Sequence, residues 1–200
     1  MNNLNAKADL QEKYFSILEN EEALTSHVAG EAIEKPQPAL WMIVIPVFFV
    51  FFFFQFNRYK NGLKSFKHDF LRTRKRVLDS VHQAMVDNSH INVEELVASG
   101  NAPDQARAAY GVWVNELVVF YRSLLEADGR DYPSLVQSSY KKRSNYLLAL
   151  NKLNTVERDL NRALLPDLEN QDERTAMAIE AIEKSTADFR KHQAKVVFSR

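Results

Sequence analysis

Apolar residues recur every three or four positions along most of this chain, the spacing of one face of a helix. One stretch breaks that rhythm. Ala39 to Phe54 are sixteen consecutive apolar residues, and Pro38 to Phe56 extends the run to nineteen with Gln55 the polar exception. Nineteen helical residues rise about 28 Å, close to the ~30 Å hydrocarbon core of a bilayer. The pattern predicts a transmembrane helix over 38–56. Trp41 near its start and Tyr59 just beyond its end suit the headgroup layers. Phe49 and Phe52 belong to a cluster of seven phenylalanines expected to face lipid. Pro46 lies mid-run, and because proline frees a backbone carbonyl it leaves a re-entrant path open beside the spanning one.

The flanking segments read as amphipathic helices. Leu10, Tyr14, Ile17, Leu18 and Leu24 predict a short surface helix inside an N-terminal tail, 1–37. After the run, Tyr59, Leu63, Phe66, Phe70, Val77, Val81 and Met85 step by three, four or seven and predict a helix to about residue 86. Turn residues from Asn88 to Asn101 surround a short helical piece, Val93 to Ala98. Pro103 and Asp104 open the next helix, with Trp113, Leu117, Phe120 and Leu124 on its face, and Asp128-Gly129 closes it. Asp131 caps a long helix that the spacing from Leu135 to Leu164 carries to Pro166. Asn170 to Glu173 resembles a capping box ahead of a last helix through Ile179, Ile182, Thr186, Phe189 and Val196. The fold class predicted is all-α: one N-terminal transmembrane helix followed by an antiparallel bundle of about four long helices, 57–200, with short connections.

Charge sharpens this. Residues 1–35 carry three lysines against seven carboxylates. The segment 58–76 holds eight cations (Arg58, Lys60, Lys64, Lys67, Arg72, Arg74, Lys75 and Arg76) with Asp69 as its acid. Basic residues beside a span stay on the cytoplasmic side. The expectation is a single-pass protein of the cell inner membrane, tail outside and bundle within. The neck itself admits two uses. Its first half suits headgroups by snorkelling. Its second half, about 21–27 Å beyond the bilayer on a straight helix, suits an acidic partner, or anionic lipid if the helix lies along the surface.

Composition excludes more chemistry than it offers. The chain has no cysteine, five glycines and six prolines in 200 residues, so thiolate metal sites and thiol nucleophiles are absent and long helices are favoured over turn-rich sheets. The five histidines are scattered, and Asp79-x-x-His82 is one pair where a metal bundle needs several. No nucleophile elbow or phosphate loop occurs. The aromatic stripe Trp113, Phe120, Tyr121, Tyr132, Tyr140 and Tyr146 reads as core, with tyrosine hydroxyls at the bundle edge. No catalytic residue, cofactor, metal or small-molecule substrate is identified, and the chain does not read as an enzyme.

An apolar N-terminal segment left by Phe56-Asn57, the basic Arg74-Lys-Arg76, the Tyr132-Pro-Ser-Leu135 helix start and Val156-Glu-Arg-Asp-Leu-Asn161 together resemble the LemA family. That resemblance implies a membrane-anchored helical bundle facing the cytoplasm, with no enzymatic activity and a scaffold or signalling role. The functional expectation is a scaffold or adaptor that binds another protein, or a second copy of itself, through its bundle. Binding of anionic lipid or nucleic acid through 58–76 is the alternative, and a metal-dependent membrane enzyme the remote one.

Overall fold

A computed structural model describes residues 2–32, 46–100, 102–168 and 173–199. Those residues are all-α, without a strand. The helices are α1 (Asn2–Ala32), α2 (Pro46–Asp87), α3 (Val93–Ala98), α4 (Arg107–Leu125), α5 (Tyr132–Tyr140), α6 (Arg143–Leu168) and α7 (Glu173–Val197), with a 3-10 turn at Asp104–Ala106.

The N-terminal segment departs most from expectation. In place of a short surface helix followed by a tail, α1 runs 31 residues and buries one face in the core. Ile17 and Val28 are fully enclosed, as are Ala29 and, nearly so, Leu24. The reason is an inward stripe that continues past Leu24 to Val28, which lets α1 pack along both α2 and α7. Contact with α2 is antiparallel. The Tyr14 hydroxyl donates to Asp79 Oδ1 at 2.6 Å, and Lys67 Nζ donates to Ser26 Oγ at 3.1 Å. Contact with α7 pairs the Asn20 and Gln193 side chains and brings the His27 and Phe189 rings to 5.3 Å.

A second difference concerns direction. α6 and α7 are antiparallel, tied by Asn161 to Glu183 at 2.9 Å and Tyr146 to Gln193 at 3.1 Å. α4 is antiparallel to α6, through Trp113 to Glu157 at 3.2 Å and Lys152 to Glu116 at 2.6 Å. If α1 and α6 ascend, then α2, α4 and α7 descend. α2 and α4 are therefore parallel neighbours, and the simple up-and-down order with short connections does not hold. The chain returns from the foot of α2 to the head of α4 through residues 88–106, climbing about 22 Å. Arg76 pins the climb, donating to the Leu96 carbonyl at 3.1 Å and the Ser99 carbonyl at 2.8 Å. The Asn92 side chain caps α3.

The long helix expected over 131–166 is two. Asp131 caps α5 as the sequence implied, its carboxylate accepting from the Ser134 amide at 2.8 Å. The chain then breaks at Lys141, which takes φ of 60°, and the Asn145 side chain donates to the freed Tyr140 carbonyl at 3.0 Å. The break turns α5 aside so that Tyr132 and Leu135 enter the same core as Tyr146 and Leu150. The cap proposed at Asn170 to Glu173 falls on 169–172, outside the described residues.

Residues 38–45 of the apolar run, with Trp41, lie outside the described residues. From Pro46 the run is the start of α2, which continues for 42 residues through the basic stretch without interruption, about 63 Å. Among the described residues no helix is long and apolar enough to cross a membrane.

Candidate functional site

The basic neck divides into two populations. The side chains of Arg58, Tyr59 and Lys60, like those of Pro46, Phe49 and Phe52, lie outside the described set, although their backbone belongs to α2. Lys64 is exposed, and Lys67 is half-buried beside Ser26. Past Phe70 the run turns inward. Lys75 remains outside and pairs with Asp79 at 2.8 Å. Arg76 is spent on the climbing segment and on the Tyr110 hydroxyl at 2.5 Å. Arg74 is 3 % exposed. Arg72 is exposed and, among the described residues, makes no hydrogen bond or ion pair.

Arg74 stands at the centre of a buried charge network that joins five helices. Its Nη2 donates to Glu157 Oε1 of α6 at 2.6 Å, and its Nε lies 3.4 Å from Glu21 Oε2 of α1. Arg190 of α7 reaches the same carboxylate, 2.7 Å to Oε2 and 3.0 Å to Oε1, and also bonds Asn154 Oδ1. Trp113 of α4 donates its indole N–H to Glu157 at 3.2 Å, and the Arg74 guanidinium sits 4.1 Å from the Phe70 ring. Burial alone would raise the Glu157 pKa. Arg190 and Arg74 reverse that and hold it at about 2. Glu21 goes the other way, because burial raises its pKa further than Arg74 and Arg190 lower it. The Tyr121 hydroxyl neighbours Glu21, yet neither it nor Glu21 Oε2 completes a hydrogen bond. Two guanidiniums thus share one firmly ionised carboxylate, and the second carboxylate is pushed towards neutrality.

A cavity of about 330 Å³ opens beside this network, between α2, α4, α6 and α7. Phe70, Trp113, Leu160, Leu164 and Ile182 give it apolar walls, while Arg72, Thr73, Asn154 and Thr186 contribute polar ones. Its two acids are already committed. Glu157 serves Arg74 and Arg190, and Glu183 accepts from Asn161 at 2.9 Å and lies 3.6 Å from Arg158. The cavity faces the end of the bundle from which the apolar run departs, since α1 ends and α2 begins at that end.

The remaining candidates settle into structure. Asp79 is engaged by Tyr14 and Lys75, and the His82 ring packs on Tyr14 with centroids 4.9 Å apart. Burial lowers the His82 pKa, with Asp79 opposing. Among the described residues no three metal-ligating side chains cluster. The aromatic stripe is core, but its hydroxyls turn inward. Tyr132 and Tyr146 share a buried hydrogen bond of 3.0 Å, which Tyr146 extends to Gln193.

The charge network had a legible signature. Phe70, Arg74, Val77 and Val81 form one heptad stripe, and Arg74 occupies an apolar register within it. Glu21 stands likewise between Ile17 and Leu24, and Glu157 between Leu153 and Leu160. A charge in core register is a buried charge, and such charges need partners. No protein-family model, no curated protein and no solved structure matches the chain.

Proposed function

We propose that this protein is a membrane-attached helical scaffold, held to the cytoplasmic face of the inner membrane by an apolar segment that enters and leaves one leaflet. One observation carries the reading. The helices on both sides of the apolar run, α1 before it and α2 to α7 after it, share one core, and one folded body lies on one side of a bilayer. On this reading the tail and the bundle lie on the same side of the membrane. Pro46 as the first residue of α2 suits a return point, since proline is favoured in a first turn. From there to Phe56 the helix rises about 16 Å, half the hydrocarbon thickness. Lys64 and the rest of the outer neck supply cations at headgroup level.

The scaffold role draws on a second surface. Val112, Val119 and Leu148 are each more than half exposed and flank the Glu116–Lys152 ion pair on α4 and α6, an apolar ridge suited to a protein partner.

The cysteine-free sequence makes the test direct. Lys7→Cys in α1 and Lys191→Cys in α7 place exposed thiols on either side of the run. In sealed vesicles of known orientation both should react with an impermeant maleimide from the same face. Labelling from opposite faces, or release of the protein by alkaline wash, would sink the reading. For the ridge, Val119→Lys with Leu148→Lys should abolish the crosslinked species formed in native membranes while leaving the unfolding midpoint unchanged.

A further inference from the structure

We propose that the cavity between α2, α4, α6 and α7 is a binding site for an amphiphilic anion, its acidic head held by Arg72 and the Thr73 and Thr186 hydroxyls and its apolar body lying along Phe70, Leu160, Leu164 and Ile182.

The lining argues for this by elimination of charges. Both acids in the wall are matched, Glu157 by two arginines and Glu183 by Arg158 and Asn161. The lining side chains left wholly without a partner can all donate. Among the described residues Arg72, Thr73 and Thr186 of this lining have no hydrogen-bond or ionic partner. An unmatched guanidinium beside hydroxyls selects an oxygen-rich anion. The neighbouring network consumes its own carboxylates, Glu157 on Arg74 and Arg190 and Glu21 on Arg74, and so offers the cavity no free acid that would favour a cation. The rest of the lining includes the aromatic and aliphatic side chains Phe70, Leu160, Leu164 and Ile182, which small inorganic anions do not use. At ~30 Å³ for each water-sized group, 330 Å³ holds about a dozen heavy atoms, the size of a medium-chain acid and within the range of ligand pockets. The same chemistry describes a free fatty acid and the head and first carbons of an anionic lysolipid.

Trp113 lines the cavity and reports on it. The full chain carrying Trp41→Phe leaves Trp113 as the sole tryptophan. In phosphatidylcholine nanodiscs, decanoate should change its emission saturably, while decanol and decyltrimethylammonium should bind at least tenfold more weakly and inorganic phosphate should give no response. Arg72→Gln, an exposed change that leaves the fold intact by circular dichroism, should weaken decanoate about tenfold. Leu164→Glu should abolish the response. Equal binding of decanol or of the ammonium, no effect of Arg72→Gln, or a silent Trp113 would each overturn the proposal. Nanodiscs doped with lysophosphatidic acid identify the source. A response to lysolipid in the disc assigns a lipid, and a response to decanoate alone assigns a soluble acid. Neither result depends on which side of the membrane α1 occupies.

Discussion

Two positions in the basic run of α2 carry the same kind of residue to opposite environments. Lys64 and Arg74 lie ten residues apart on one uninterrupted helix, within one basic run. Lys64 is in solvent, whereas Arg74 is 3 % exposed and holds together α1, α2, α6 and, through Glu157, α4 and α7. Register decides between them. Residue 74 falls on the stripe of Phe70, Val77 and Val81, and residue 64 falls off it. Charge density along the sequence says nothing of this difference. The basic run joins an exposed cation to a structural keystone.

The largest expected effect comes from the inner end. Arg74→Met removes one of the two cations on Glu157 and leaves Glu21 facing Arg190 alone, and truncating one partner of a buried charge network costs about 3–5 kcal/mol. Urea unfolding of the full chain in detergent should show that loss, and because Glu157 also serves Arg190, Arg74→Met/Glu157→Gln should lose less than the sum of the two single losses. Additive losses would mean that Arg74 and Glu157 do not interact.

Acid offers a subtler probe of the same end. The folded pKa of Glu157 is depressed to about 2 from an ordinary 4.5. The stability this confers is fully present above the unfolded value and is lost as pH falls from 4.5 towards 2. The amount is on the order of 3 kcal/mol. Glu21 has the opposite sign. Its raised folded pKa means that the folded state binds the extra proton, so stability falls as pH rises above 4.5 through the folded value. Glu157→Gln should flatten the acid limb of a urea-midpoint profile, and Glu21→Gln should flatten the limb above it. A profile unchanged by both would refute the network as the source.

The climbing segment gives a middle-sized effect. Arg76→Met removes donors to two carbonyls and the Tyr110 hydroxyl. A loss of about 2 kcal/mol should come with earlier hydrogen exchange over 93–100 and little change in α1.

How much of this was readable beforehand varies element by element. The six-residue α3 and the Asp131 cap were legible, because local spacing and side-chain capping decide them. The division at Lys141 was not. Apolar spacing continues through Tyr140 and Tyr146, and no glycine marks the positive φ that a lysine adopts there. The place of α1 was hidden by chain order. Its apolar stripe is ordinary, but the apolar run separates it from the rest of the core, and its partners Asp79 and Gln193 stand 65 and 173 residues away. Its inward charge, Glu21, stands within that stripe, between Ile17 and Leu24. Of the site, the basic run stood out in the sequence, but the inward turn of Arg74 and its pairing with Glu157, Glu21 and Arg190 did not. The cavity rests on helices that meet only in three dimensions.

The smallest effect tests the outer end, and its smallness is informative. Lys64→Gln with Lys67→Gln removes an exposed charge and a side chain that makes one exposed hydrogen bond, so stability should change by no more than about 0.5 kcal/mol. Binding to vesicles containing phosphatidylserine should nevertheless weaken by about 1 kcal/mol per charge, roughly thirtyfold for the pair, and the difference should disappear in high salt as the Debye length contracts. Arg72→Gln, two residues from the keystone and exposed, should leave vesicle affinity alone if the cavity and not the lipid surface uses that cation. If it instead weakens vesicle binding as much as Lys64→Gln does, the boundary between the two ends of α2 lies inward of residue 72, and the membrane claims more of the helix than its register implies.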